Sequence, residues 1–140
     1  MERYVIYNVD HRVLICRQHM CGIGPNNIDR HFWEEHKDMP LETRKDIVTW
    51  SQTLLLCEVE EVTRFQERTS HINGLEIRNG YRCNFSECGM IKGTQSGVQR
   101  HCTEHKWDGF VSGKARFCEV KVQTFFQGNK TWYTVLLIIH

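Results

Sequence analysis

A pattern of cysteines and histidines occurs twice in this chain, and it constrains the fold more than any other feature. The first copy spans residues 16–37 and the second spans residues 83–106. Each copy contains two cysteines separated by four residues, a glycine directly after the second cysteine, an Arg-His pair and a Glu-His-Lys triplet. A match at this many ordered positions indicates two copies of one supersecondary unit.

The second copy has the spacing of a zinc site with two cysteine and two histidine ligands. A short interval between cysteines lets a tight turn aim both thiolates at one point, and histidines at i and i+4 lie on one side of a helix. Zn²⁺ accepts two thiolates and two imidazoles in a tetrahedron. The sequence therefore predicts a zinc ion held by Cys83, Cys88, His101 and His105.

The first copy predicts a second zinc ion, held by Cys16, Cys21, His31 and His36. Its two histidines are five residues apart, so the helix must loosen or tighten locally for both to reach one metal; this spacing is tolerated in zinc sites. His19 lies between the cysteines and is a spare ligand candidate that we expect to face solvent. The alternative for this copy is a helical hairpin without a metal.

The segments around the two copies predict an α+β fold. The apolar segment 13–15 predicts a strand entering the first cysteine pair. Pro40 opens a helical stretch that should end in the turn-rich segment 70–74, and Asn79-Gly80 predicts a turn before the second copy. Residues 117–126 and 131–135, separated by a turn at 127–130, predict a C-terminal β-hairpin.

These elements divide the chain into four parts. The fold class we predict is α+β, with two small zinc-stabilised ββα-like fingers joined by a helical linker and followed by the hairpin. The parts are residues 1–39 (the first finger with its leading strand), 40–73 (the linker), 74–106 (the second finger) and 107–140 (the hairpin). The sequence ends one residue after the apolar run 135–139, so we expect either a truncated gene or an excerpt of a longer protein.

Several short segments along the chain together form a recognisable pattern. They are Val13-Leu14-Ile15-Cys16 with Cys21, His31 and His36, then Gly74-Leu75-Glu76-Ile77, Gly80-Tyr81-Arg82-Cys83, Val122-Gln123-Thr124-Phe125-Phe126 and Trp132-Tyr133-Thr134-Val135. Through these segments the sequence resembles a fungal family named after the orsellinic acid biosynthesis cluster protein D. The resemblance implies that the chain is the zinc-finger region near the N-terminus of a longer protein, or a degenerate copy, and it implies a link to gene-cluster regulation and to mobile or helicase-linked fungal genes. Phe117 is a departure, because the family tends to carry tryptophan there.

The seven cysteines suit either disulfide bonds or metal sites. The N-terminal residues do not lead into the apolar core of a signal peptide, and no apolar run approaches the roughly 20 residues that a membrane helix needs. Metal binding inside the cell, in the nucleus or the cytoplasm, is therefore the interpretation that we expect. No membrane and no small-molecule substrate is expected among the partners.

One function that the pattern predicts is DNA binding by a nuclear transcription or chromatin factor. Fingers of this kind read bases through residues at and near the start of the helix. Arginine at the last reading position can contact guanine with two hydrogen bonds. The candidate positions are Gly24, Asn27 and Arg30 in the first copy and Thr94, Gly97 and Arg100 in the second, where both glycines offer no side chain.

Two observations favour the alternative, a zinc-stabilised module that binds a protein partner and not DNA. His36 and Cys83 are separated by 46 residues, whereas tandem fingers that follow a groove have short linkers. Residues 16–39 contain three basic and four acidic side chains, whereas residues 81–106 contain four basic and two acidic ones. Only the second copy has a net positive charge, which binding to nucleic-acid phosphates requires.

An enzyme is the third possibility, and the sequence predicts that the chain is not one. Four protein ligands at each zinc leave no open position for water or substrate. No glycine-rich phosphate loop, nucleophile elbow or paired-carboxylate motif occurs. The remaining cysteines, Cys57, Cys102 and Cys118, are expected to be small buried hydrophobic residues.

Overall fold

The computed structural model describes residues 2–61, 67–68, 71–105, 115–126 and 134–136, with only the backbone described at 67–68 and 134–136. These residues form three α-helices and eight β-strands, so the predicted α+β class is confirmed. The chain divides into two compact units, each assembled from three segments. The first comprises Met1–Gln66, Ile72–Glu76 and Thr124–Trp132, and the second comprises Glu67–His71, Ile77–Gln123 and Tyr133–His140.

The first unit contains a three-stranded antiparallel sheet in the order β1-β2-β3. Its elements, in chain order, are β1 (Val5–Asn8), β2 (Val13–Cys16), β3 (Cys21–Ile23), a 3₁₀ turn (Pro25–Asn27), α1 (Ile28–Glu35) and α2 (Leu41–Ser51). The strand predicted at 13–15 is therefore the central strand β2, and β1 is an additional partner for it. Pro25 begins the 3₁₀ turn, where its missing N–H group costs no hydrogen bond.

Strand β2 is buried on both faces, and this determines the direction in which its cysteine points. Successive side chains of a strand point to opposite faces. Leu14 and Cys16 pack in one core cluster with Ile28 and Phe32 of α1 and with Ile47 of α2. The opposite face packs in another cluster, which contains Val13, Ile15, Ile72, Leu75 and Phe125. The fold therefore places Cys16 against α1.

The helix predicted after Pro40 is shorter than expected, because α2 ends at Ser51. The Ser51 hydroxyl donates to the carbonyl of Val48 and the Thr53 hydroxyl donates to that of Trp50, both at 2.6 Å. Such local bonds compete with helical ones and favour a helix end. The chain then continues as turn and extended segments, with a 3₁₀ turn at Val59–Glu61. Further along the predicted helix, Glu67–Arg68 form a short strand instead, and residues 62–66 and 69–70 lie outside the described residues.

The second unit contains a five-stranded sheet in the order β4-β8-β7-β5-β6, parallel between β4 and β8 and otherwise antiparallel. Its helix α3 spans Gln95–Cys102. Val98 of α3 packs with Cys83 and Cys102, and Ile91 packs with Val122. The strands are β4 (Glu67–Arg68), β5 (Arg78–Cys83), β6 (Ile91–Lys92), β7 (Phe117–Gln123) and β8 (Thr134–Leu136).

The turn predicted at Asn79-Gly80 is wrong, because both residues lie inside β5. Gly80 pairs with Val120 on β7 and lies under the neighbouring Val122. A Cβ atom on Gly80 would lie 2.9 Å from Cγ1 of Val122. The glycine therefore serves close packing within a sheet, a role that the dipeptide does not distinguish from a turn.

The C-terminal hairpin is supported by the antiparallel pairing of β7 with β8. In this pairing Val122 lies opposite Val135 and Gln123 lies opposite Thr134. The predicted turn at 127–130 lies outside the described residues. Across the described part of the chain, no helix has the length and apolar character to span a membrane.

Candidate metal centres

The two sequence copies share their local structure, since in each an antiparallel strand pair with its connecting turn carries the cysteines, and the helix that follows carries or directly precedes the histidines. In the first unit these elements are β2, β3 and α1, and in the second they are β5, β6 and α3. Met20 and Glu87, which directly precede the second cysteine of each copy, both have a left-handed backbone, with φ of 54° and 64°. The sequence repeat is therefore also a conformational repeat.

The first unit brings together one cysteine and three histidines, which we call the first Cys/His cluster: Cys16, His19, His31 and His36. Their donor atoms all lie within 4.8 Å of one another. The Sγ atom of Cys16 is 3.3 Å from Nδ1 of His19 and 3.4 Å from Nε2 of His36. Nε2 of His36 is 3.2 Å from Nε2 of His31. Three of the four predicted ligands thus come together, and His19 lies beside them.

Cys21, the other predicted ligand, is not a member of this group of four. It begins β3 directly opposite Cys16 and is partly buried. Cys21 lines the same cleft as His19 and His31, and its role as a ligand stays a prediction. The available signal for His19 was only that it is a histidine placed between the two cysteines, and the repeat argued against it because the second copy has Ser86 there.

In the second unit the second Cys/His cluster contains all four predicted residues, Cys83, Cys88, His101 and His105, again with donor atoms within 4.8 Å of one another. Sγ of Cys88 is 3.2 Å from Nε2 of His101. Nε2 of His101 is 3.1 Å from Nε2 of His105. The residues that sequence spacing selected are thus the residues that the fold brings together.

The end of each helix allows both histidines to face one point. Helix α1 ends at Glu35, and His36 has non-helical angles of φ −129° and ψ 59°. This is the local departure from helix that a five-residue spacing requires. Helix α3 ends at Cys102, and the N–H of His105 donates to the carbonyl of Cys102 in the following turn. Phe85 stacks on the His105 ring at a centroid distance of 3.9 Å and fixes its orientation.

The spacing of donor atoms in both clusters fits a tetrahedral zinc ion. With Zn–S of about 2.3 Å and Zn–N of about 2.0–2.1 Å, N···N and N···S pairs in a tetrahedron are separated by roughly 3.3–3.6 Å. The measured S···N and N···N distances of 3.1 to 3.4 Å come close to this range. Thiolate and imidazole are also the donor types that zinc prefers. Both clusters are therefore suited to hold a zinc ion.

The protonation states follow from burial. Burial, with His36 and His19 nearby, lowers the pKa of His31 to about 4. Burial also lowers the pKa of His36 and of His101, so these rings are neutral near pH 7 with a lone pair available for a metal. Burial raises the pKa of the cysteine thiols at Cys16, Cys83 and Cys88, so metal binding there must release protons.

The residues predicted to touch nucleic acid differ in their surroundings. Asn27 is exposed at the start of α1, and Arg30 forms an ion pair with Glu34 at 3.1 Å. Thr94 is the N-cap of α3, where its hydroxyl accepts a hydrogen bond from the N–H of Gly97 at 3.0 Å. Arg100 is exposed and forms no ion pair with any residue that the structure describes. The Thr94 hydroxyl is therefore already engaged in holding the helix.

The three cysteines outside the predicted sites also differ. Cys102 is buried as expected, Cys57 is partly buried, and Cys118 is exposed, contrary to expectation. The thiol of Cys102 lies 3.7 Å from Sγ of Cys83 and 3.6 Å from the carbonyl oxygen of Arg116. Cys102 thus contacts the second Cys/His cluster from the core side.

The fold and the two clusters define a class of small α+β proteins with paired Cys/His sites suited to metal. A profile of the family described as orsellinic acid/F9775 biosynthesis cluster protein D matches residues 3–107. The chain belongs to this family, and the resemblance noted in the sequence is confirmed. No curated protein and no solved structure matches the chain.

Proposed function

We propose that this chain is a zinc-binding regulatory module that acts in the nucleus and contacts nucleic acid through the second unit. Each Cys/His cluster would hold one zinc ion and fix the helix that follows it. The observation that carries the nucleic-acid proposal is the composition of the exposed face of α3. This face offers amide, hydroxyl and guanidinium groups and has no acidic residue within the helix; its members are Gln95, Ser96, Gln99 and Arg100.

Helix α1 serves as an internal comparison and is unsuited to the same role. Its exposed residues include Asp29, Glu34 and Glu35, whose carboxylates repel phosphate. Arg30, the repeat equivalent of Arg100, is held by Glu34. We therefore assign nucleic-acid contact to α3 alone, with Arg100 contacting phosphate or a base edge. Thr94, engaged as the helix cap, is assigned a structural role.

We also propose that the chain binds without catalysing a reaction. Four protein donors complete the tetrahedral coordination of zinc at each cluster, as in structural sites that stabilise a fold. When bound, zinc would hold strand pair and helix together. This contribution is large in a small unit, because little apolar area is available to stabilise it otherwise.

The test is fluorescence anisotropy of labelled mixed-sequence duplex DNA titrated with the zinc-loaded full chain at two salt concentrations. Binding should weaken steeply between about 50 mM and 200 mM salt, because phosphate contacts release counterions. Arg100→Ala should weaken binding, and it should reduce the salt slope by about one unit if Arg100 contacts a phosphate.

Arg30→Ala is the matched control, because it removes an arginine from the same repeat position on the other helix. It should leave the affinity unchanged. Equal losses in the two variants, or no binding of the wild-type chain at low salt, would contradict the proposed role of α3.

Protein binding is the second candidate function, and one surface favours it. Trp33 of α1 is 59% exposed, and the guanidinium of Arg44 lies over its ring at 5.7 Å from the centroid. Arg44 is half-buried and also forms an ion pair with Asp29 at 3.4 Å. Tryptophan and arginine are among the side chains that most often anchor protein interfaces. Absence of DNA binding combined with an intact metal content would favour this second function.

A further inference from the structure

We propose that Cys83 and Cys102 are a peroxide-sensitive thiol pair, which closes to a disulfide and releases the metal of the second Cys/His cluster. Oxidation would then replace the metal, as a link between strand β5 and helix α3, by a covalent bond between the same two elements. The inference rests on the metal-binding part of the proposed function and is independent of nucleic-acid contact.

The two thiols are already in contact inside the second unit. Sγ of Cys102 lies 3.7 Å from Sγ of Cys83, and the two residues are 1% and 2% exposed. A disulfide requires about 2.05 Å between the sulfur atoms, so each sulfur has to move by less than roughly 1 Å. The pair is therefore close to bonding geometry before any oxidation.

The strand and the helix explain this contact. Cys102 is the last residue of α3 and lies one turn after Val98, so both side chains face the same core cluster. Cys83 is the last residue of β5, and its N–H donates to the carbonyl of Met90 at 2.8 Å. The N–H of Phe85 donates to Sγ of Cys83 at 3.5 Å. The ends of β5 and α3 thus hold the two sulfurs side by side.

Cys102 is available as a reaction partner because four other residues complete the second Cys/His cluster. Cys102 therefore remains a thiol beside a predicted ligand. The first copy has Phe32 at the same repeat position, directly after His31, and Phe32 is fully buried in the core of the first unit. An apolar side chain satisfies the packing there, whereas the thiol at position 102 adds a reactivity that packing does not require.

The oxidant that fits this site is hydrogen peroxide, a small molecule. The other three members of the cluster, unlike Cys83, are partly exposed, and peroxide can approach from their side. The Cys83 thiolate attacks one peroxide oxygen, so that an S–O bond forms, the O–O bond breaks and hydroxide leaves. The Cys102 sulfur then attacks the Cys83 sulfur; the S–S bond forms, the S–O bond breaks, and the departing hydroxide takes the thiol proton as water. The two sulfurs lose two electrons and peroxide gains them.

The experiment treats the zinc-loaded full chain with hydrogen peroxide and maps its disulfides by mass spectrometry of an unreduced tryptic digest. Trypsin cuts after Lys92 and Arg100, so the peptides that carry Cys83 and Cys102 stay together only if they are bonded. The wild-type chain should show this bond, with fragmentation placing it at Cys83 and not at Cys88. A colorimetric chelator should detect zinc release as the bond forms. Reduction followed by zinc addition should restore the original metal content.

Cys102→Ser removes the second sulfur. Cys83 should then accumulate as the sulfinic acid, heavier by about 32 Da, and reduction should no longer restore the metal content. Cys118→Ser is the matched control, because Cys118 is an exposed cysteine of the same unit that contacts Oδ1 of Asn84 at 3.5 Å. This variant should behave as the wild-type chain does.

The oxidised wild-type chain should also melt at a higher temperature in excess chelator than the reduced chain, because the disulfide joins the elements that the metal joined. A bond between Cys83 and Cys88, or a Cys102 thiol that stays free after peroxide treatment, would overturn the inference, whether or not the variants fold. Equal melting temperatures would contradict the covalent replacement of the metal. A chain that holds no zinc before peroxide is added would instead refute the proposed metal binding, and the digest would still report on the thiol pair.

Discussion

At the scale of single residues, the left-handed backbone of Met20 and Glu87 is the most specific local feature of the metal-binding turns. A residue with a Cβ atom is strained in this conformation by roughly 1 kcal/mol or more, whereas glycine is not. Both residues directly precede a cysteine. The backbone strain therefore occurs where the chain must turn a ligand-bearing segment toward the metal.

Replacing Met20 by glycine should stabilise the first unit. Met20 has φ of 54° and is 45% exposed, so little packing is lost and the backbone strain is relieved. We expect the free energy of unfolding to rise by about 0.5–1 kcal/mol, measured by denaturant titration of the zinc-loaded chain. Met20→Ala is the control, because it removes the side chain and keeps the strain. A glycine variant less stable than the alanine variant would contradict this account.

The ligand residues show how far sequence reasoning reached. The spacing of the second copy predicted all four members of the second Cys/His cluster, because histidines at the end of a helix and cysteines in a tight turn have few geometric solutions. In the first copy the structure groups His19 with three of the predicted ligands, Cys16, His31 and His36, and the role of Cys21 as a ligand stays a prediction. Spacing along a chain does not say which side chain of a turn points inward, since that depends on the φ and ψ angles of the turn.

At the scale of the elements, helix α3 depends on its cap. The Thr94 hydroxyl accepts from the N–H of Gly97 at 3.0 Å, and the Thr94 backbone is extended with φ −131° and ψ 151°. Helix α1 has no side-chain hydrogen bond at its N-cap, Asn27. The two helices of the repeat thus begin differently, although their sequences align.

Thr94→Ala should lower the free energy of unfolding by about 1 kcal/mol, because an N–H group at the first turn of α3 loses its partner. The metal content should stay at two ions, since Thr94 belongs to neither cluster. Thermal unfolding and native mass spectrometry measure the two effects. Asn27→Ala is the comparison at the uncapped helix and should cost less; an equal cost would show that capping is not the cause.

Gly80→Ala should destabilise the second unit by about 1–3 kcal/mol, because the new Cβ would lie 2.9 Å from Cγ1 of Val122. Removing the obstructing methyl groups should restore part of the loss. The double variant Gly80→Ala with Val122→Ala should therefore be more stable than the sum of the two single changes predicts. Additive losses in denaturant titrations would mean that the clash relaxes in another way.

The fold elements were predictable where local signals agree with packing. The strand at β2 and the pairing of β7 with β8 followed from apolar runs of strand length. The Asn79-Gly80 turn was wrong because the glycine serves sheet packing under Val122, a long-range contact. The end of α2 at Ser51 was missed because hydroxyl bonds to the preceding carbonyls outweighed a helical apolar pattern.

At the scale of the whole molecule, stability should depend on pH through the buried imidazoles. The folded chain holds His31 with a pKa of about 4, and His36 and His101 are shifted in the same direction. The unfolded chain binds protons at these groups near pH 6.5. The unfolded state therefore takes up protons first as the pH falls, so stability is full above about pH 6.5 and decreases toward pH 4.

Zinc release should also increase as the pH falls, because protons compete with the metal for the same nitrogen and sulfur atoms. We expect the zinc-loaded chain to hold two ions at pH 7.5 and to release them progressively between about pH 6.5 and pH 4. A colorimetric chelator assay measures the release, and thermal unfolding at the same pH values measures the stability. A constant melting temperature across this range would contradict the role given to the histidines.

The return of the chain to the first unit has a consequence for synthesis on the ribosome. All the histidines and cysteines of the first Cys/His cluster lie within the first 36 residues, whereas Phe125, which covers Val13 and Ile15 and accepts the Gly22 hydrogen bond, is made far later. Domains begin to fold during translation from the N-terminus. The nascent chain therefore has its metal ligands assembled while one face of β2 is still uncovered, and zinc captured at that stage would hold the strand pair until translation supplies the rest of the core.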